Sequence, residues 1–494
     1  MFSRKTIGFF LGIAVVLAAL FTPEIEGLSQ QAKYVAAVAM LMAIWWITEA
    51  IPIFATAFVP MVLFPTMGIM PAGDTAINYG HDLVLMMISG FFLAKAIEVH
   101  NLHKRIALFI IKTLGTSRRK ILLSMMLATA FLSMWIANVT AALLMLPIGL
   151  AIIAKEESST SHIGKFGVAL MLAIAYSASI GGTATLIGSP TNLIFSGVMS
   201  NMFPDAPLIS FAEWLKLGLP IVVIFLPIVW LYLTRYFKIT GSIPGNKEVI
   251  TEEYSALGKM SIAEKRVSIV FLLTALGWIF RENIVIGQVT IPGWSNLLGL
   301  EEFVRDSTVG MLAATILFLL PAGNDKRLLD WKQASQIPWG VGVIVGGGYA
   351  IAIGFKNTGL ADWLGSQLVF VSAYPDLLIL FIIVGFILLF TEMNPNTATI
   401  NIFLPILASI AVAGNINPLL LMIPATFASS FAFMMPAGTG PNTVIFGSNR
   451  VSVIEMFKCG LGIKLISLLI LTLLLYFLII PLLGLDNTMP SWAY

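Results

Sequence analysis

Apolar segments of roughly 17 to 25 residues, long enough to cross about 30 Å of hydrocarbon, recur along the whole chain. Of its 494 residues 58% are hydrophobic and only 11% are charged, and the mean hydropathy is +0.94. A soluble domain with so few charged residues could not cover its surface with polar groups. The sequence therefore predicts an all-α membrane protein that crosses the bilayer many times.

Two polar interruptions of these apolar segments resemble each other. The segment around Asn138 reads SMWIANVTAALLMLP, and the one around Asn396 reads FTEMNPNTATINIFLP. Residues 90–102 match residues 348–360 at the same separation of 258 positions (396 − 138 and 348 − 90). Two matches in one register predict a duplicated unit. In a membrane chain, duplicated units with polar breaks favour a transporter whose substrate lies at the repeat interface.

The placement of basic residues predicts the topology. The basic start of the chain favours a cytoplasmic N-terminus, and the alternation of basic and base-poor loops then gives eleven spans and an external C-terminus. An amphipathic helix, LHKRIALFIIKTLG, is expected on the cytoplasmic surface. The predicted spans lie at about 6–21, 32–48, 51–67, 82–98, from 165 onward, 211–235, 267–284, 308–321, 338–355, around 434–447 and 461–483.

Two further segments are predicted to be re-entrant hairpins. Residues 121–155 are too long for one span and too short for two, and basic residues flank both ends. They are therefore expected to enter from the cytoplasm and turn around residues 137–139. Residues 376–414 have no lysine or arginine at either end, so this hairpin is expected to enter from the outside. The expected domains are 1–31 (first span and external loop), 32–238 (repeat 1), 239–266 (cytoplasmic linker), 267–484 (repeat 2) and 485–494 (external tail).

Two of the spans contain residues that break a helix. Glycine costs about 1 and proline about 3 kcal/mol inside a helix, so we expect unwound backbone at Gly188 to Asn192 and at Gly438 to Asn442. Helix N-termini at such breaks offer free N–H groups that can hold carboxylates. Among the ionisable residues near apolar segments, Glu392 is the strongest functional candidate, because it lies beside a hairpin turn.

The remaining composition separates three classes of membrane protein. An enzyme would require a nucleophile or a metal, and the chain has one cysteine, Cys459, and four histidines without metal-ligand spacing. A channel would place a ring of like charges or carbonyls around an axis. Inverted halves with opposed hairpins favour a carrier instead. No metal, cofactor or nucleic acid is expected as a partner.

With these motifs in order, the chain resembles the divalent anion/sodium symporter family of carboxylate and sulfate transporters over essentially its whole length. The resemblance rests on SMWIANVTAALLMLP, TEMNPNTATINIFLPILASIA, LIGSPTNLIFSG and PAGTGPNTVIFG, with GFFLAKAIEVHNLHKRIAL in support. It implies a homodimer in a prokaryotic cell membrane, with a scaffold part and a transport part that moves as an elevator. It also implies that a dicarboxylate lies between two hairpin tips and two helix breaks, with sodium beside each tip. The implied substrate residues are Asn138, Val139, Pro190, Asn396, Thr397 and Thr439, and the implied sodium candidates are Ser133, Asn138, Gly188, Thr391, Asn396 and Gly438.

The chain departs from the Ser-Asn-Thr motif that the family carries at each tip. The first tip reads Ala137-Asn138-Val139 and the second Pro395-Asn396-Thr397, so both lack the serine hydroxyl. Sodium requires several hard oxygen ligands, as calcium and magnesium do. We therefore expect sodium-independent exchange of C4 or C5 dicarboxylates such as succinate, malate, fumarate and 2-oxoglutarate. The alternative is sodium-coupled symport of di- or tricarboxylates or of sulfate.

Overall fold

The computed structural model describes residues 3–23, 25–115, 117–159, 164–241, 246–286, 289–323, 325–368, 370, 374–482 and 488–493. In this part of the chain the fold is helical, with two short antiparallel hairpins, β1 (Ile284–Ile286) with β2 (Val289–Ile291) and β3 (Pro321–Gly323) with β4 (Lys326–Arg327). The helices up to the linker are α1 Arg4–Phe21, α2 Gln30–Thr48, α3 Ile53–Thr56, α4 Val59–Thr66, α5 Ala72–Ile77, α6 Asp82–Val99, α7 Leu102–Leu114, α8 Arg118–Ser133, α9 Asn138–Ser159, α10 Lys165–Gly181, α11 Pro190–Met202, α12 Phe211–Tyr236 and α13 Asn246–Ala256. Those that follow are α14 Ile262–Ile279, α15 Trp294–Leu297, α16 Asp306–Leu319, α17 Trp331–Ala334, α18 Trp339–Asn357, α19 Leu360–Leu368, α20 Asp376–Phe390, α21 Asn396–Ala413, α22 Pro418–Ser429, α23 Gly440–Phe446, α24 Val453–Leu474 and α25 Ile480–Leu482.

The helical membrane architecture expected from the sequence is confirmed. Seven helices in the described residues, α1, α2, α9, α12, α18, α21 and α24, are long and apolar enough to cross a membrane. The number rises to eight if the chain from α5 to α7 is counted as one bent span, with a bend of 72° between α6 and α7. Two of the seven, α9 and α21, are arms of the predicted hairpins. Of the other expected spans, α10 and α16 are shorter helices, and α14 has 18 residues but carries three charged ones near its start. The bend directs α7 away from the axis of α6, as expected for a helix on the membrane surface.

The structure corrects two helix boundaries and adds elements that the sequence analysis missed. The predicted span 51–67 consists of two helices, α3 and α4, because Pro60 cannot donate a backbone hydrogen bond and the helix restarts just before it. The last span begins at Val453 instead of 461, because Ser452 and Glu455 form a capping box there. The linker contains a helix, α13, that the sequence analysis missed, and α19 and the two β-hairpins were also missed.

Both breaks begin earlier than predicted. Residues 182–189 separate α10 from α11, and residues 430–439 separate α22 from α23; these segments are called the first break and the second break below. Gly181 approaches the backbone of Ala130 so closely that a Cβ would overlap its carbonyl group. Close packing of α8 on α10 therefore accompanies the end of the helix. Pro190 then opens α11 at the position where a missing N–H carries no cost.

The site is built around the central helix α10. From Phe166 to Gly181 nearly every residue of α10 is buried, including the ring of Tyr176, as expected for a helix that is apolar on all sides. Helices α8 and α9 pack against it, and α20 and α21 pack in the same way against α22. The two halves thus carry matching arrangements of a helix pair and a broken helix.

Candidate functional site: two tips and two breaks

Each tip is a turn between two helices, closed by a hydroxyl and an asparagine five residues apart. At the first tip, residues 133–138, the Ser133 hydroxyl lies 2.8 Å from Asn138 Oδ1 and 2.6 Å from the carbonyl oxygen of Ala178 on α10. A Cβ at Gly182 would overlap Asn138 Oδ1, so glycine is required for this approach. The first tip is therefore fixed to the end of α10 and to the first break.

The second tip, residues 391–396, has the same construction. The Thr391 hydroxyl lies 2.9 Å from Asn396 Oδ1 and 2.6 Å from the carbonyl oxygen of Ser429 at the end of α22. The tip residues are related to those of the first tip by 258 positions (391 − 133 and 396 − 138). The structure thus repeats an oxygen cluster of one hydroxyl, one amide oxygen and one carbonyl oxygen in both halves.

The asparagines next to the breaks, Asn192 and Asn442, donate hydrogen bonds to backbone carbonyls. The side-chain amide of Asn192 donates to the carbonyls of Gly182 at 3.0 Å and Thr185 at 2.7 Å. The amide of Asn442 donates to the carbonyls of Ala432 and Met435 at 3.2 and 3.0 Å, so the two sets are related by 250 positions (442 − 192). Each amide donates to two carbonyls that lie beyond the end of the interrupted helix, and the carbonyls of Thr185 and Met435 also accept from the N–H groups of Gly188 and Gly438. These asparagines stabilise the breaks.

Direct contacts join the four motifs into one cluster. The hydroxyls of Thr191 and Ser430, one in each broken helix, lie 2.9 Å apart. The side chain of Val139 at the first tip packs directly on Gly440, where a Cβ would overlap its Cγ2 atom. The Tyr176 hydroxyl donates to the carbonyl of Phe433 at 3.0 Å, from α10 to the second break.

The other predicted site residues lie at the edges of this cluster. Pro190 opens α11 and Thr439 precedes α23, and Thr439 is 8% exposed. Thr397 is half-buried at the second position of α21, and Val139 is 40% exposed. Neither α11 nor α23 has a side chain that caps its N-terminus. In the first turn of α11, Pro190 has no N–H and the Asn192 N–H donates to the carbonyl of Ser189 at 3.1 Å, so the backbone offers few N–H groups to an anion there.

The predicted sodium candidates fall into the two oxygen clusters and the adjoining glycines. A Cβ at Gly188 would lie 2.9 Å from the carbonyl oxygen of Ser133, and one at Gly438 would lie 3.1 Å from Glu392 Oε2. Thr185, which the sequence analysis did not select, donates through its hydroxyl to the carbonyl of Met134 and accepts from the Gly188 N–H at 3.1 Å. Each glycine thus lies directly behind its tip.

One charged residue at the cluster was missed. Lys464 on α24 is 4% exposed and lies 2.5 Å from the carboxylate of Glu392, the residue that the sequence marked as the strongest ionisable candidate. The sequence did contain a signal for Lys464, because it is a lone lysine within the last apolar span and ionisable residues inside a membrane are functional by default. By contrast, Lys95 and Glu98 pair with each other at 2.9 Å on α6.

Residues 3–485 match the family described as the sodium:sulfate symporter transmembrane region. The chain belongs to this family. It is 42% identical to a sodium-dependent dicarboxylate transporter, SdcS, of Staphylococcus saprophyticus, over 98% of this chain and 93% of that protein. The SdcS protein of Staphylococcus aureus strain MRSA252 is 41% identical over the same shares. The family confirms that this protein is a membrane transporter and not an enzyme.

Two solved structures share the fold at low sequence identity. The MtrF efflux pump of Neisseria gonorrhoeae superposes with a TM-score of 0.57 at 11% identity, covering 96% of this chain and 95% of that one. The YdaH transporter of Alcanivorax borkumensis gives a TM-score of 0.56 at 11% identity, covering 97% and 98%. At this identity they establish the fold only, which agrees with the predicted fold class.

Proposed function

We propose that this protein is a sodium-coupled transporter of C4 and C5 dicarboxylates that works by alternating access. The oxygen cluster repeated at each tip carries the proposal. The similar proteins that are named sodium-dependent dicarboxylate transporters support it. Sodium-coupled symport, the alternative in the sequence analysis, thereby replaces sodium-independent exchange as the preferred mechanism.

The oxygen clusters provide hydroxyl and carbonyl oxygens in place of the serine hydroxyl that both tip motifs lack. A serine or threonine hydroxyl has one proton, so Ser133 can donate either to Asn138 Oδ1 or to the Ala178 carbonyl, although it lies within 2.8 Å of both. Thr391 is in the same position with two acceptors. At each tip one hydroxyl proton therefore serves two acceptor oxygens, and at the first tip the Ala178 carbonyl also accepts from the Gly182 N–H at 3.1 Å. The lone pairs that remain could bind a sodium ion.

The anion is proposed to bind between the two tips. Its carboxylates would accept hydrogen bonds from the amides of Asn138 and Asn396 and from Thr397 and Thr439. Pro190 and Val139 would form apolar walls. A dianion held by neutral donors needs accompanying cations, which links substrate binding to the sodium ions at the tips. Sulfate, which the family description includes, carries the same charge and would compete for the same donors.

The orientation is proposed from the distribution of basic residues, and the assembly from the family resemblance. Basic residues near Arg118 and Lys155 favour a cytoplasmic entrance for the first hairpin, which puts the N-terminus inside and the C-terminus outside. The resemblance to the symporter family supports a homodimer that works as an elevator. Light scattering of the purified protein would give the oligomeric state, and accessibility of cysteines introduced at the two termini would give the orientation.

Uptake of labelled succinate by proteoliposomes tests the function. We expect uptake to rise with an inward sodium gradient and to proceed without internal dicarboxylate. Uptake that requires internal dicarboxylate and ignores sodium would restore the exchange mechanism. Asn138→Ala and Asn396→Ala are expected to abolish uptake, whereas Asn296→Ala, in the short helix α15 that follows β2, should leave it unchanged.

A further inference from the structure

A buried ion pair joins the second tip to α24. The carboxylate of Glu392, the residue after Thr391, lies 2.5 Å from the ammonium of Lys464. The ammonium also donates to the carbonyls of Leu388 at 2.6 Å and Phe431 at 2.7 Å. All three of its protons therefore have acceptors. Leu388 lies in the last turn of α20, and Phe431 lies two residues beyond the end of α22, so the ammonium is close to two helix C-termini, where the helix dipole favours a cation.

The Glu392 carboxylate also organises the second break. One oxygen accepts from the N–H of Phe433 at 2.8 Å, and the other accepts from Met434 at 3.0 Å and Met435 at 3.1 Å. These N–H groups have lost their helical partners because α22 has ended. A Cβ at Gly438 would lie 3.1 Å from the same carboxylate. The carboxylate thus binds the N–H groups of the break, and the ammonium binds carbonyls at or just beyond the ends of α20 and α22.

The first half carries apolar residues at the corresponding positions. The hairpin separation of 258 relates Glu392 to Met134 (392 − 134). Helices α12 and α24 begin with matching Ser-x-x-Glu caps 242 positions apart (452 − 210), which relates Lys464 to Val222 (464 − 222). Val222 is 2% exposed. The duplicated halves therefore have the same oxygen clusters, but the second half has an ion pair next to its cluster where the first half has two apolar residues.

We propose that Glu392 and Lys464 are positioning residues for the cation at the second tip, and that they make it the tighter of the two cation sites. This inference rests on the sodium-coupled function proposed above. The carboxylate fixes the open turn of the break, and it adds negative potential beside the oxygens of Thr391 and Asn396. The ammonium also contacts the break, through the carbonyl of Phe431 at 2.7 Å, so its charge offsets part of this potential and the fixed geometry of the turn carries the larger share of the effect. The buried surroundings screen this potential less than water would.

The test installs the first-half residues in the second half, as Glu392→Met with Lys464→Val. Removing both members of a buried ion pair together avoids an unpaired charge, so this double variant is expected to fold, although three N–H groups of the break lose their acceptor and lower its stability. The sodium concentration for half-maximal succinate uptake should rise about tenfold, while uptake at saturating sodium stays within about twofold. A matched control, Met134→Leu with Val222→Ile, changes the equivalent positions without changing charge and should leave the sodium dependence unaltered.

The outcomes separate this inference from the proposed function. If uptake by the unmodified protein ignores sodium, the proposed function fails. If it responds to sodium but the double variant has the same half-maximal concentration, the role of the ion pair is overturned and the function stands.

If the double variant yields no folded protein, Glu392→Asp replaces it, because the shorter carboxylate cannot reach all three N–H groups. An increase of about threefold is then expected, and no increase refutes the inference. The sodium-induced rise in melting temperature of the purified protein gives a second readout that does not depend on transport.

Discussion

Removing the Ser133 hydroxyl tests the oxygen cluster at the first tip. The hydroxyl is fully buried and lies within hydrogen-bond distance of two oxygens, at 2.8 and 2.6 Å. Ser133→Ala deletes one oxygen without adding volume, so it removes one proposed sodium ligand and the hydroxyl proton that Asn138 Oδ1 and the Ala178 carbonyl share. A lost intramolecular hydrogen bond costs about 1 kcal/mol of stability, and a buried acceptor left unpaired costs about 1–3 kcal/mol.

The same change should weaken sodium binding more selectively than it weakens the fold. Loss of one ligand worth about 1.4 kcal/mol raises the half-maximal sodium concentration about tenfold. The assay is the initial rate of succinate uptake by proteoliposomes, measured over a range of external sodium at fixed ionic strength. Thr391→Val at the second tip should give a shift of the same sign, because its hydroxyl has the equivalent contacts.

A control on the same helix separates sodium binding from stability. The Ser124 hydroxyl on α8 is also fully buried, but it donates to the carbonyl of Ile121 within its own helix at 2.9 Å. Ser124→Ala should lower the melting temperature as Ser133→Ala does and leave the sodium dependence unchanged. A half-maximal sodium concentration for Ser133→Ala within about twofold of the unmodified protein would place the cation elsewhere and refute the argument.

Two further predictions concern contacts between the halves. Gly440→Ala should abolish uptake, because the added Cβ overlaps Val139, and the second change Val139→Ala should restore a measurable rate; failure of this rescue would mean that the overlap is not the cause. Lys464→Met alone should cost about 3–5 kcal/mol in the free energy of unfolding, because it leaves the Glu392 charge buried without its partner. Melting temperatures should then rank the single variant well below the double variant Glu392→Met with Lys464→Val, and the reverse order would contradict the reasoning.

Most of the fold could be predicted because its signals are local. Apolar length identifies helices such as α2, α12 and α18, and the repeated motifs around Asn138 and Asn396 place equivalent turns in both halves. The boundaries that were wrong depend on single residues. Pro60 divides a predicted span, and Ser452 starts the last helix early, and neither effect changes the average hydropathy of its segment.

The site was less predictable because its decisive atoms come from distant helices. The sequence analysis counted oxygens within the three residues of each tip and therefore favoured sodium-independent exchange. The structure adds the carbonyls of Ala178 and Ser429, which no tip motif contains. It also gives a role to Asn192 and Asn442, whose side-chain amides donate to carbonyls of the breaks. Packing of one helix against another decides these contacts, and no local pattern encodes them.

The charge distribution at the cluster explains why anion binding would require cations. Among the described residues at the tips and breaks, the buried cation is Lys464, and its three protons are taken by Glu392 and two backbone carbonyls. A dianion therefore meets amide and hydroxyl donors without a free positive side chain. Neutral donors alone compensate poorly for the loss of water around two carboxylates. Sodium ions held at the oxygen clusters would supply the missing charge next to the anion, so coupling would follow from the same geometry that forms the site.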